Sequence, residues 1–169
     1  MSTPSVYRFE RLGEHNRASF SCGVPELDHY LHNQAGQDLR RNVAAPFVML
    51  DALGMIVGYY TLSSYAVRLP ELPPVVARKF PRYPLLPATL LGRLAVSRDH
   101  QGRQLGRALL MNALFRSWKN TSEIASVGVV VEAYDDAARA FYLHHEFLAV
   151  PEHPTKLFLP MRTIQKAFA

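Results

Sequence analysis

The stretch that carries the clearest chemistry is Arg93-Leu94-Ala95-Val96-Ser97-Arg98-Asp99-His100-Gln101-Gly102-Arg103-Gln104-Leu105-Gly106-Arg107-Ala108-Leu109-Leu110. A strand-like apolar run enters a glycine-bearing turn, and the turn opens an amphipathic helical pattern. The first N–H groups of a helix have no partner within it and sit at the positive end of its dipole, so such a turn is a ready anion site. Gly102 and Gly106 let the main chain approach an oxygen closely. The residues therefore sketch a pyrophosphate cradle over 101–107; the plainer alternative is a βα turn that uses glycine only for tightness. It is not a Walker loop, because no Gly-Lys-Ser/Thr follows, and not a dinucleotide fingerprint, because three spaced glycines are absent.

The basic residues point the same way. Lys and Arg number 19 against 14 Asp and Glu, a net charge of +5. Arg78, Lys79, Arg82, Arg93, Arg98, Arg103 and Arg107 face a single acid, Asp99, so residues 78–107 hold +6 and the rest of the chain −1. Such clustering suits a phosphate-rich partner, whether nucleotide or nucleic acid, although any one of these cations could be an ordinary solvated charge. Arg40-Arg41 add a second basic pair. Arg78, Lys79 and Arg82, with Tyr83 beside them, could hold RNA phosphates and stack a base. His29, His32 and Cys22 could sketch a metal site, but no fourth ligand is evident and no metal is expected.

The elements that must position these groups follow from periodicity. Pro25-Glu26 starts a helix on which Leu27, Tyr30, Leu31, Ala35 and Leu39 recur, ending near Arg40-Arg41-Asn42. Residues 47–50 and 56–62 are β-rich runs around Asp51-Ala52-Leu53-Gly54 and read as a hairpin. Residues 70–87 contain six of the 12 prolines, a density that predicts a surface excursion at about 66–89 without regular structure. A central strand at 90–97 then precedes a helix over 104–118 with Leu105, Leu109, Leu110, Ala113, Leu114 and Trp118 on its apolar face. A strand covered on both faces spans 127–133, a short helix opens at Asp135-Asp136, and closing strands lie at 147–150 and 156–159. The expectation is one α/β (α+β) domain over residues 1–169, with a mixed, mostly antiparallel central sheet and helices on both faces.

Composition excludes other classes. At 169 residues, 49% hydrophobic and 20% charged, the chain is neither a disordered tail nor a coiled coil. No apolar run approaches the ~18 residues of a membrane span, so no membrane partner is expected. Met1 to Arg8 shows no basic-then-apolar leader, and Cys22 is the sole cysteine, which together predict a cytoplasmic protein without a disulfide.

Gln101-Gly102-Arg103-Gln104-Leu105-Gly106 resembles the acetyl-CoA loop of the GNAT N-acetyltransferases, written Gln/Arg-x-x-Gly-x-Gly/Ala, with Gln104 where the middle glycine is expected. Asp135-Asp136-Ala137-Ala138-Arg139-Ala140-Phe141-Tyr142 with Glu146-Phe147 is similar to the family's Asn-x-x-Ala-x-x-x-Tyr … Gly-Phe segment, Asp135 replacing Asn and Glu146 replacing Gly. Further segments resemble one branch, the acetyltransferase toxins of type II toxin–antitoxin modules: Phe20-Ser21-Cys22-Gly23-Val24-Pro25-Glu26-Leu27-Asp28, Gly58-Tyr59-Tyr60-Thr61-Leu62-Ser63, Tyr83-Pro84, Leu90-Leu91-Gly92-Arg93-Leu94-Ala95 and Leu157-Phe158-Leu159-Pro160-Met161.

The resemblance implies a GNAT fold, acetyl-CoA as cosubstrate and transfer of acetyl to the α-amine of an aminoacyl-tRNA, which blocks translation. It also implies a homodimer neutralised by a ribbon–helix–helix antitoxin. Carried over residue by residue, the cofactor would lie on Leu94, Ala95, Val96, Gln101, Gly102, Arg103, Gln104, Leu105, Gly106, Arg107, Asp135 and Ala138. Tyr142 would be the catalytic acid: a phenol of pKa about 10 can protonate a thiolate whose conjugate acid lies near about 8.5. Arg78, Lys79, Arg82, Arg93, Arg40, Arg41, Ser63 and Tyr65 would face the tRNA or its aminoacyl group. An α-amine of pKa about 7.7–8.0 is already about one-tenth neutral at pH 7, so no general base is required; Glu132 remains a candidate if one is. Two alternatives stand beside this reading: acetylation of a small amine or protein N-terminus, and a non-catalytic acyl-CoA-binding module.

Overall fold

A computed structural model describes residues 6–169. The chain divides into two compact units, one formed by the chain up to Ser63 with Arg93–Ala113, the other by Ser64–Gly92 with Leu114–Ala169.

In the first unit, β1 (Arg8–Arg11), β2 (Ala45–Leu50) and the opening part of β3 (Ile56–Val67) form an antiparallel meander. The β2–β3 turn is shaped by Asp51, whose carboxylate accepts the N–H groups of Leu53 and Met55 at 2.9 Å each, while Gly54 takes φ +80. The helical stretch expected after Pro25 is present in three pieces: α1 (Pro25–His29), a π turn (Tyr30–Gln34) and α2 (Ala35–Arg40). Leu27, Leu31, Ala35 and Leu39 are spaced by four, wider than the ~3.6 of an α-helix, and the π turn absorbs the drift. Tyr30, Leu31 and Ala35 are buried with Leu12, Phe20, Val48, Leu50, Tyr59 and Ala95.

In the second unit, the opening part of β4 (Leu86–Val96) pairs in parallel with β5 (Gly128–Glu132) over Thr89–Leu91, and β5 pairs antiparallel with β7 (His153–Pro160), which carries β6 (Leu148–Val150) on its other edge. Val129, Val130 and Val131 are all buried, as a strand covered on both faces requires. The strand order is β1-β2-β3-β4-β5-β7-β6, a mixed, mostly antiparallel seven-stranded sheet.

Four features differ from the sequence expectation. β1 (Arg-Phe-Glu-Arg) has no apolar alternation to announce it and exists by pairing with β2. The proline-rich segment is not free of regular structure: it holds a 3₁₀ turn (Leu69–Glu71), a one-turn helix α3 (Pro74–Ala77) and the start of β4, because Leu72, Val76 and Leu86 are buried with Val130, Val150 and Phe158. β3 continues to Val67, so Ser63 and Tyr65 lie inside a strand and not at a hairpin's end. Beyond α4 (Leu105–Asn120) and α5 (Asp136–His144), a last helix α6 (Met161–Phe168) buries Met161 and Ile164, and its Phe168 stacks on half-buried Trp118 at 6.1 Å.

Candidate functional site

The turn from β4 into α4 is held by backbone and amide contacts within the first unit. Ser97 N–H donates to the Val57 carbonyl (2.8 Å) and Arg98 N–H to that of Ser21 (2.7 Å). Gln101 turns its side chain inward, its Nε2 donating to the carbonyls of Cys22 (3.0 Å) and Val96 (3.1 Å). Its amide nitrogen therefore braces the loop. Gly102 (φ +82) and Gln104 (φ +60) both take left-handed backbone, and no heavy atom lies within 4 Å of a Cβ built on Gly102. Gln104 thus keeps the conformation that a glycine would supply at the position where the family motif has one. The Gln104 carbonyl accepts the Ala108 N–H (3.2 Å), starting the helix.

The N–H groups of 102–107 have no protein acceptor among the described residues. Six donors at the head of a 16-residue helix, with open space above Gly102 and exposed Arg103 and Arg107 beside them, fit a diphosphate. Leu105 is buried and can offer only its amide. Ala95 is also buried, and Leu94 and Val96 are half-buried at the end of β4.

Tyr142 belongs to α5 in the second unit. Asp135 caps that helix, its Oδ1 accepting the Ala138 N–H at 2.7 Å, so the Asp replacing Asn retains the capping function. The helix ends in a Schellman motif: Glu146 (φ +72) donates from its N–H to Leu143 O and Phe147 to Tyr142 O, both 3.1 Å. Glu146, like Gln104, occupies left-handed backbone where the family has glycine. The motif folds Phe147 onto Tyr142 (ring centroids 5.2 Å), with Phe141 on its other side (5.3 Å). The Tyr142 hydroxyl has no hydrogen-bond partner among the described residues, and burial pushes its pKa well above the ordinary value, so the phenol retains its proton.

The predicted RNA-facing residues separate into engaged and free. Arg93 lays its guanidinium over Tyr30 at 3.5 Å, a cation–π contact that sequence reasoning did not anticipate. Burial and the Asp38 carboxylate hold the Tyr30 phenol at about 12. The Tyr65 hydroxyl accepts from Lys156 Nζ (3.2 Å), and Lys156 also lies 3.7 Å from Glu71. Arg40, Arg41, Arg78, Lys79 and Arg82 are exposed, as is Tyr83. Sequence reasoning also missed an open groove of about 530 Å³ that Arg78 and Arg82 line together with Glu152.

The two histidines near Cys22 are engaged in hydrogen bonds of their own. His32 hydrogen-bonds the Phe20 carbonyl (2.8 Å) and His29 the Asn33 amide (3.1 Å). Burial pushes the Cys22 thiol up to about 11. Among the described residues no group of three or more His, Cys, Asp or Glu could hold a metal ion, and no helix is long and apolar enough to cross a membrane.

A mixed sheet that includes the parallel pair β4–β5, followed by a helix start whose N–H groups at 102–107 have no acceptor among the described residues, is the arrangement of an α/β domain with an anion site. Residues 46–148 match the acetyltransferase (GNAT) domain, and the chain belongs to that family. It is 39% identical over 144 residues, 85% of each chain, to the tRNA-acetylating toxin of Mycobacterium tuberculosis (strain ATCC 25618 / H37Rv). Among solved structures it is similar to a tyrosine-to-phenylalanine variant of KacT (TM-score 0.91, 26% identity, 97% of this chain and 100% of that one). It is also similar to AtaT complexed with acetyl-methionyl-tRNAfMet (TM-score 0.88, 26% identity, 96% and 99%).

Proposed function

We propose that this chain is a toxin that transfers acetyl from acetyl-CoA to the α-amine of an aminoacyl-tRNA, making the amino acid unusable in translation. The observation that carries the reading is the row of N–H groups at 102–107 without an acceptor among the described residues, in a chain 39% identical over 85% of its length to a tRNA-acetylating toxin. Acetyl-CoA, when bound, supplies an acetyl thioester as electrophile and a thiol as leaving group. The amides of 102–107, with Arg103 and Arg107, hold its diphosphate, and the main chain of Leu94, Ala95 and Val96 polarises the thioester carbonyl. Asp135 and Ala138 fix the start of the helix that carries Tyr142. The Tyr142 phenol, neutral at physiological pH, keeps a proton to give to the departing sulfur as the C–N bond forms and the C–S bond breaks. The attacking amine loses its own proton to solvent, and solvent returns a proton to the Tyr142 phenolate, which closes the cycle.

Arg78, Lys79 and Arg82 hold RNA phosphates, with Arg40 and Arg41 as a second contact. Ser63, Tyr65 and Arg93 border the aminoacyl group, Lys156 and Tyr30 fixing the latter two side chains. The protein acts as a single-domain homodimer in the cytoplasm and is neutralised by a ribbon–helix–helix antitoxin. Incubation with acetyl-CoA and a pool of charged tRNAs, followed by mass spectrometry of the aminoacyl groups, tests this. Acetylated aminoacyl product is expected; acetylation of free amines or protein N-termini alone would overturn it.

A further inference from the structure

We infer that the groove beside the proline-rich segment is a single-nucleotide subsite, in which Arg78 and Arg82 hold phosphate and Glu152 reads the base of an unpaired nucleotide in the RNA. The inference rests on the aminoacyl-tRNA reading and adds to it a residue that selects the base. The groove encloses about 530 Å³, within the size range of small-ligand pockets, and its walls include Leu69, half-buried Phe80 and Pro151. Its three charges, Arg78, Arg82 and Glu152, form no side-chain hydrogen bond or ion pair among the described residues.

The charge pattern narrows the occupant. Two guanidiniums favour a phosphate, which their forked donors bind bidentately. A carboxylate in the same groove repels a second anion, so a surface evolved only for phosphate would not carry it. It favours a ligand that presents an anion and a hydrogen-bond donor together, and a nucleotide does so: its base stacks on an aromatic ring and its exocyclic amine donates to a carboxylate. Adenine, cytosine and guanine carry such an amine, and uracil does not. Glu152 also sits at φ +65 in the β6–β7 turn, where glycine would be the unstrained choice. The residue there carries a side chain despite the local backbone preference, and its acid lines the same groove as the two arginines.

The same conformation provides a fold-safe test, because Glu152→Gly deletes the carboxylate while relieving the backbone. Labelled hexamers of A, C and U are titrated by fluorescence anisotropy against the full chain, the Glu152→Gly variant and an Arg78→Ala/Arg82→Ala variant. The wild type should bind the A and C hexamers about tenfold more tightly than U, the scale of one good base-edge contact. Glu152→Gly should erase that preference. The arginine variant should weaken all three and flatten the salt dependence. A wild type without base preference, or a preference that survives Glu152→Gly, overturns the subsite. So does binding that is indifferent to all three groove residues, which would assign the groove to another partner such as a peptide. Acetylation of charged tRNA by the same wild-type preparation is scored in parallel, so failure of the function and failure of the subsite are read separately.

Discussion

Replacing Gln104 by glycine should stabilise the protein and leave the anion cradle intact. Gln104 sits at φ +60, where a residue with a Cβ is disfavoured by about 1–2 kcal/mol. Glycine removes that cost but adds about 0.5–1 kcal/mol of unfolded-state entropy, so the net gain is about 0.5–1 kcal/mol. At roughly 2–4 °C per kcal/mol for a chain of this size, Gln104→Gly should raise Tm by about 1–4 °C. Glu146→Gly, at φ +72, should gain at least as much, because it also removes an acid from a helix C-terminus. Scanning calorimetry measures the first effect, and titration calorimetry with CoA measures whether the 102–107 amides still bind. The reverse change, Gly102→Ala at φ +82, should cost about 0.5–1 kcal/mol by the same balance. It should also weaken CoA, since its Cβ enters the open space above the loop. If Gln104→Gly lowered Tm, or if Gly102→Ala bound CoA as the wild type does, the conformational account of the loop would be wrong.

Tyr142→Phe should leave Tm and CoA affinity unchanged and reduce kcat by about 10²–10⁴-fold; retained turnover would remove Tyr142 from its role. Because burial raises the Tyr142 pKa above 10.0, turnover should rise with pH as the substrate amine loses its proton and show no phenol-linked fall before pH 10. A descending limb below that, without unfolding, would contradict the burial. A Cβ at Gly128 would lie 2.5 Å from the Leu159 carbonyl and inside the Phe158 ring contact, so Gly128→Ala should cost about 3 kcal/mol and roughly 6–12 °C in Tm. With its thiol held at about 11, Cys22 should resist alkylation of the folded protein at pH 8, where only about one molecule in a thousand is thiolate, and react promptly on unfolding.

The fold was legible wherever the local signal and the tertiary role agree. Pro25 opens a helix, Asp51 and Gly54 make a hairpin turn, and the Val-rich 129–131 run is buried on both faces. It was not legible where tertiary contacts override local preference. β1 is an Arg-Phe-Glu-Arg edge strand recruited by β2, and the proline-rich segment is ordered by Leu72 and Val76 entering the core. α6 does carry a local signal, Met161, Ile164 and Phe168 at helical spacing.

At the site, Gly102 marked the left-handed turn that precedes α4, whereas Gln104 takes the same backbone region without a glycine to announce it. Side-chain direction was hidden. Nothing in the order of residues says that Gln101 turns inward to Cys22 and Val96, that Arg93 rests on Tyr30, or that Glu152 joins Arg78 and Arg82 across about 70 residues.

The most direct test of the central claim is the mass of the aminoacyl group after charged tRNA, acetyl-CoA and this protein are incubated together. A gain of one acetyl group on the α-amine, abolished by Tyr142→Phe and absent from uncharged tRNA, is the expected result. Aminoacyl groups that remain unmodified, while acetyl-CoA is consumed on another amine or not at all, would contradict it.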